Sequence, residues 1–258
     1  MSTDIVWADI ERDVVIVQGD DAVTFLNSQL ANDTAALSVG QSLHSLLLDP
    51  TGHVHSLVRV VRHSDTVFTL DVDAGFGNDV IVRLQRFVLR AKATMSTSDW
   101  VVRAFRGTDA ASHIGAIPGC AVVAWGSPNA IDVVGSISTL PTLGESTDPG
   151  YINMMRADER WPRLGVDLLV GDIPATSGVL SCAVSFTKGC FPGQELVQRM
   201  NSRGTSAPVV LRVLERDDRG VGSRVIQDGV DVGTVTSVGQ HCVIARMSRS
   251  STIGEPLG

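Results

Sequence analysis

Short, Val-rich runs separated by turn signals recur along the chain, and this rhythm limits the folds open to it. Residues 42–48 and 54–61 flank Asp49-Pro50-Thr51-Gly52, a hairpin signal, and residues 67–72 add a strand in which Phe68, Leu70 and Val72 alternate. Further strands are expected at 101–105, 121–125 and 131–134, and then at 209–214, 224–227, 232–237 and 242–247, with Asp228-Gly229 as a hairpin turn. Helical spacing is confined to short stretches. A strand at 14–17 ends at Gly19, after which Asp20 or Asp21 caps a helix with Ala22, Phe25, Leu26 and Leu30 on one face. Residues 76–90 repeat apolar positions at helical spacing, and residues 195–200 form a short helix. The implied class is α+β, with antiparallel sheets and packed helices.

At 258 residues the chain can build two or three small domains with real cores, and 43% hydrophobic against 19% charged residues is an ordinary globular balance. Residues 141–150 read as a linker, and no internal repeat is visible. The N-terminus lacks a basic region followed by an apolar one, and no apolar run reaches the roughly eighteen residues of a membrane span, so a cytoplasmic protein without membrane contact is expected. A net charge of -7, with no basic cluster interleaved with aromatics, argues against stable direct nucleic-acid binding. Cys120, Cys182, Cys190 and Cys242 form no C-x-x-C pair and share no zinc spacing with the six histidines. No resident metal site or disulfide framework is expected.

The densest chemistry lies at 185–204, Ser-Phe-Thr-Lys-Gly-Cys-Phe-Pro-Gly-Gln-Glu-Leu-Val-Gln-Arg-Met-Asn-Ser-Arg-Gly. Cys190 sits just upstream of a helix start, where free N–H groups, the helix dipole and a nearby Lys188 would favour a thiolate over a thiol of pKa about 8.5. The same features suit a carboxylate or phosphate ligand. The plainer alternative makes Cys190 a small buried hydrophobe beside a tight turn.

Lys188-Gly189-Cys190-Phe191-Pro192-Gly193-Gln194-Glu195, with Arg199 following, resembles the signature of the YgfZ-type folate-binding proteins, of the superfamily that contains the glycine-cleavage aminomethyltransferases. Gly19-Asp20-Asp21-Ala22, Phe25-Leu26, Gln29-Leu30 and Asn32-Asp33 resemble the family's opening, and residues 86–92 repeat another family phrase. Residues 156–167 resemble its Arg-x-Glu-x-Gly-x-Pro-x-x-Gly-x-Asp line, with Pro162, Gly165 and Asp167 in place, Asp158 where the transferases have a pterin-binding glutamate, and Arg160 replacing a glycine. On the hairpin where the transferases carry an aspartate pair, this chain has His55 and Ser56, which disfavours glycine-cleavage chemistry. His53 and His55 would share one face of a strand.

The resemblance implies a folate-binding core over 1–205, with residues 41–149 inserted as a second subdomain, and a small C-terminal β-barrel over 206–258. It implies a bound tetrahydrofolate and a role in assembling or repairing iron-sulfur clusters in client enzymes, including tRNA-modifying ones. Cys190 would then be the reactive group tuned by Lys188, with Gln194, Glu195 and Arg199 as its polar wall and Asp158 as the pterin anchor. Three alternatives stay open: a folate-dependent one-carbon transferase using another base, a folate-sensing scaffold without chemistry, and a folate-independent Cys-His hydrolase.

Overall fold

The alternating runs pair into three sheets in the computed structural model, which describes residues 4–115, 117, 121–124, 127–203 and 207–257. In chain order the elements are β1 (Val6–Ile10), β2 (Arg12–Gln18), α1 (Ala22–Gln29), β3 (Ser42–Leu48), β4 (Val54–Arg62), β5 (Val67–Asp73), α2 (Gly77–Gln85) and β6 (Thr94–Ser98). Then follow β7 (Val101–Arg106), α3 (Ala110–Gly115), β8 (Ala121–Ala124), β9 (Ala130–Gly135), β10 (Glu145–Ser146) and α4 (Pro149–Asp158). The remainder is α5 (Leu180–Ala183), α6 (Gln194–Arg203), β11 (Val209–Glu215), β12 (Arg224–Gln227), β13 (Val230–Val238), β14 (Cys242–Ser248) and β15 (Glu255–Pro256).

The first sheet has the order β3-β4-β5-β2-β6 and the second β10-β1-β7-β9-β8, antiparallel except for the parallel pair of β1 with β10. The strands of residues 41–149 are therefore divided, β3 to β6 joining β2 and β7 to β10 joining β1. The third sheet, β12-β13-β14-β11-β15, is antiparallel and open: no pairing joins β12 to β15 among the described residues, so the expected closed barrel is absent. Its β12–β13 turn is as expected, with Asp228 and Gly229 both at positive φ, the geometry of a two-residue hairpin loop.

One face of the first sheet meets α1, α2 and α5 over the largest apolar cluster, which includes Phe25, Leu26, Leu47, Phe68 and Val197. Asp21 stands at the α1 N-cap, but its carboxylate accepts from the Lys92 backbone N–H at 2.8 Å, tying the helix start to the approach to β6 in place of a helix amide. The other face meets the second sheet through Val14, Val61, Val102 and Val134. Strand alternation puts charged side chains into that same interface.

Arg12 pairs with Asp71 and, at 2.9 Å, with Asp73; Arg59 holds Asp71 at 2.7 Å and also Asp132; Arg106 closes the chain on Asp132 at 2.7 Å. Three guanidiniums and three carboxylates balance across two sheets. Burial alone would raise the Asp132 carboxyl, but Arg106 and Arg59 outweigh it and hold it at about 2. Opposite Arg59 on β3, His44 is buried with its Nε2 unpartnered among the described residues; burial, reinforced by the Arg59 charge, pushes its pKa down to about 3.

Two measurements probe this interface. Arg59→Met leaves one uncompensated carboxylate between the sheets and should cost about 3–5 kcal/mol in urea unfolding. His44 stays neutral in the folded chain down to about pH 3, whereas the unfolded imidazole takes its proton near 6.5. Its contribution is thus complete above that value and is lost as pH falls from about 6.5 toward 3, with a slope of about 1.4 kcal/mol per pH unit. Stability in His44→Gln, followed from pH 7 to 4, should fall less steeply than in the parent.

Candidate functional site

The 185–204 segment is held by its lysine. Lys188 Nζ donates to the carbonyls of Asn27, Leu30 and Asn32 at 2.5, 2.7 and 2.9 Å, receiving the unsatisfied carbonyls at the C-terminal end of α1. Burial pushes the ammonium down to about 8 against the opposing pull of Asp33. Phe191 is buried beneath, its ring centroid 5.4 Å from Nζ. At Gly193, φ is +80°, and a Cβ would lie 2.6 Å from Gly52 Cα and 2.8 Å from the Asp49 carbonyl oxygen. The Pro192-Gly193 turn therefore packs backbone to backbone on the β3–β4 hairpin, and α6 buries Val197 in the main core.

Cys190 is exposed on this loop as a free thiol, and Cys182 and Cys242 are also free; Cys120 lies outside the described residues. The expected tuning of the thiol by Lys188 has a structural competitor, because three carbonyls already hold that ammonium. Glu195 and Arg199 are exposed on α6 and Gln194 is half-buried at its start.

The 156–172 segment locks the third sheet to the others. Asp167 is fully buried and accepts from Arg156 Nη1 at 3.1 Å, Arg163 N–H at 2.9 Å, and the hydroxyls of Thr236 and Ser237 on β13 at 2.5 and 2.7 Å. Arg246 on β14 reaches Asp172 with two bonds of 2.6 and 2.9 Å. Asp158, expected to anchor a pterin, accepts from the backbone N–H groups of Gln240, His241 and Cys242 at 2.8, 2.9 and 3.2 Å. Its two oxygens cap the β13–β14 turn, which is what a carboxylate at the end of α4 meets when the third sheet docks there. Beside it runs a groove of about 770 Å³ whose charges are partly paired, as in Arg160 with Glu255 at 2.8 Å.

A different set of residues forms the central cavity, of about 340 Å³, where the facing sheets, α4 and the segment after it meet. Ile10, Ile152, Trp161 and Pro162 give it apolar wall, and Arg12, Arg106, Arg156 and Arg163 give it positive charge, with Glu11, Asp73 and Asn153 completing the polar rim. The Trp161 ring packs on His44, centroids 4.2 Å apart, so the inter-sheet layer supports an indole that lines the cavity. Arg12, Arg106 and Arg156 are spent on aspartates, whereas the Arg163 side chain has no hydrogen bond or ion pair among the described residues. Neither Cys190, Lys188, Asp158, Gln194, Glu195 nor Arg199 lines this cavity.

Arg12, Asp73 and Arg106 were not expected from the sequence, where Arg156, Trp161 and Arg163 figure only within the 156–167 motif. The available signal was charge at inward-facing strand positions, Arg12 and Asp73 on β2 and β5 and Arg106 on β7. His53 contacts Thr51 Oγ1 at 2.8 Å, His55 Nε2 lies 3.2 Å from the Asp79 carbonyl, and Ser56 is fully buried with its hydroxyl unpartnered. No group of three potential metal ligands occurs among the described residues, and no described helix is long and apolar enough to cross a membrane.

No family model matches the chain. It is 26% identical over 225 residues to an uncharacterized protein of Haemophilus influenzae, spanning 82% of this chain and 75% of that one. It is 25% identical over 244 residues to the tRNA-modifying protein YgfZ of Cronobacter sakazakii, spanning 84% and 71% respectively. The crystal structure of the glycine cleavage system aminomethyltransferase T from Bartonella henselae superposes with a TM-score of 0.80 at 17% identity, covering 96% of this chain and 79% of the other. The chain thus has the fold of that aminomethyltransferase and a remote sequence similarity to YgfZ.

Proposed function

We propose that the chain binds a tetrahydrofolate in the central cavity and supports the assembly or repair of iron-sulfur clusters in client enzymes, including tRNA-modifying ones. The observation that carries the binding half is that the His44-supported Trp161 ring and Arg163, whose side chain has no partner among the described residues, both line the cavity. A flat pterin or benzoyl ring packs on an indole, and a glutamate tail supplies the carboxylate that a free guanidinium receives. The volume of about 340 Å³ falls within the roughly 300–1,000 Å³ of small-molecule sites. Bound there, tetrahydrofolate would supply a carrier for one-carbon units; the chain's own residues orient it and exclude water. The tRNA-modifying part of the client half has behind it the similarity to the tRNA-modifying protein YgfZ, and the iron-sulfur part rests on the family resemblance of residues 188–199.

Cys190 belongs to this proposal as a surface thiol. Exposed on a loop that Lys188 fixes to α1, and not lining the cavity, it would act on a docked client and not on the folate, with Glu195 and Arg199 on α6 as neighbouring contacts. His55 and Ser56, off the cavity wall, give no support to the aminomethyl-transfer alternative.

Calorimetric titration with tetrahydrofolate tests the site. Arg163→Ala should weaken binding about tenfold, the loss of one charge-assisted contact, while Cys190→Ala binds as the parent does. Asp158→Ala should keep its affinity and lose about 1–3 kcal/mol of stability, since it frees three turn amides. Absence of saturable binding by the parent protein would reject the folate reading. In cells, Cys190→Ser should lower the activity of an iron-sulfur client enzyme; full activity would favour the scaffold alternative.

A further inference from the structure

A second cavity, of about 390 Å³, lies between the β3–β4 hairpin and α2 and shares no lining residue with the central one. Its wall holds a charge that nothing in the described chain neutralises by contact. Arg83 is 4% exposed; its Nη2 donates to the Leu48 carbonyl at 2.9 Å, and its guanidinium lies 4.4 Å from the Phe87 ring centroid. Its Nε and Nη1 are buried without a hydrogen-bond partner among the described residues. A buried guanidinium with two unspent donors is costly, and such a group asks for an oxyanion.

The rest of the wall narrows the choice of oxyanion. Arg86, exposed, lies one turn further along the same helix face as Arg83. Asp79 and Arg83 stand four residues apart on α2, a spacing that permits an ion pair, yet none forms, and the Asp79 carboxylate has no hydrogen bond among the described residues. Asp49, which also lines the cavity, spends one oxygen on the Thr51 N–H, the Thr51 hydroxyl and the His53 N–H, and its other oxygen has no hydrogen bond among the described residues. Two carboxylates and two guanidiniums thus share one small cavity without neutralising each other. Such a wall carries no net charge, so it complements a molecule with one charge of each sign better than a dianion such as phosphate.

We infer that this cavity binds a small zwitterion of the free amino-acid class, its carboxylate on Arg83 and Arg86 and its ammonium on Asp79 and Asp49. Phe87, 40% exposed over Arg83, supplies apolar surface for the ligand's side chain. The site is independent of the folate proposal.

The test is a thermal-shift screen of the full chain against the twenty free L-amino acids, with acetate and inorganic phosphate as controls, followed by calorimetry on any responder. At least one amino acid should bind saturably, neither control should match it, and Arg86→Ala and Asp79→Asn, both surface changes, should each weaken it about tenfold. Arg83→Gln should abolish the response, and tetrahydrofolate affinity, measured in parallel, should not change in Arg86→Ala. Failure of every amino acid to bind, equal binding by phosphate, or unchanged affinity in both surface variants would overturn the inference.

Discussion

Neutrality between the two facing sheets is the condition on which the interior depends. Asp73, Arg12, Asp71, Arg59, Asp132 and Arg106 alternate in sign through a layer that also holds Val14, Val61, Val102 and Val134, and each interior member has a partner on both sides. A hydrophobic layer of the same volume would hold the sheets together as well or better, so the network's contribution lies in where it ends. Arg12, Asp73 and Arg106 emerge at the central cavity, which is polar because the inter-sheet layer terminates there. His44 fits the same layer as a neutral ring beside Arg59, and by packing on Trp161 it carries the layer's order to the cavity's indole.

The family-like phrases take on a physical meaning different from the one a linear reading suggests. Lys188, Phe191 and Gly193 fasten a loop, respectively to the end of α1, to the core and to the β3–β4 hairpin. Asp167 and Asp158 fasten the third sheet, one through the β13 hydroxyls and one through the β13–β14 turn. Polar residues at fixed spacing serve joints between layers as readily as they serve ligands, and both need a satisfied, oriented carboxylate. What separates the two uses is whether the partner is in the chain, which spacing alone does not reveal.

Local order was legible for that reason and three-dimensional assembly less so. Alternation and turn chemistry located β3, β4, β5, β9 and β11 to β14 to within a few residues, though not the two-residue β15, and Asp228-Gly229 carried its own turn type. β1 and β6 were missed because Trp7-Ala8-Asp9 and Thr94-Met95-Ser96 lack a clear apolar period; they are strands through pairing with β7 and β2. The helix α3 hid in a stretch of Ala, Ser and His that reads as turn. The expected barrel failed on a global property, closure, that no local pattern encodes. Of the site, residues 188–199 stood out as a dense motif, while Arg12 and Arg106 carry no local mark in the sequence, their inward direction being set by strand pairing.

The division of β1 and β2 between two sheets sets the order in which a nascent chain can acquire structure. Separated by Glu11 alone, these strands find partners as distant as Ser146 for β1 and Ser98 for β2. The first sheet closes on β6, which ends at Ser98, whereas the second waits for β10, which ends at Ser146, past the midpoint of the 258 residues, so loop closure is long-range on both sides of the junction. During that interval Arg12, Arg59 and Asp71 remain hydrated while Asp132 is still to be made, and charge in the waiting strands discourages their edges from pairing with other chains.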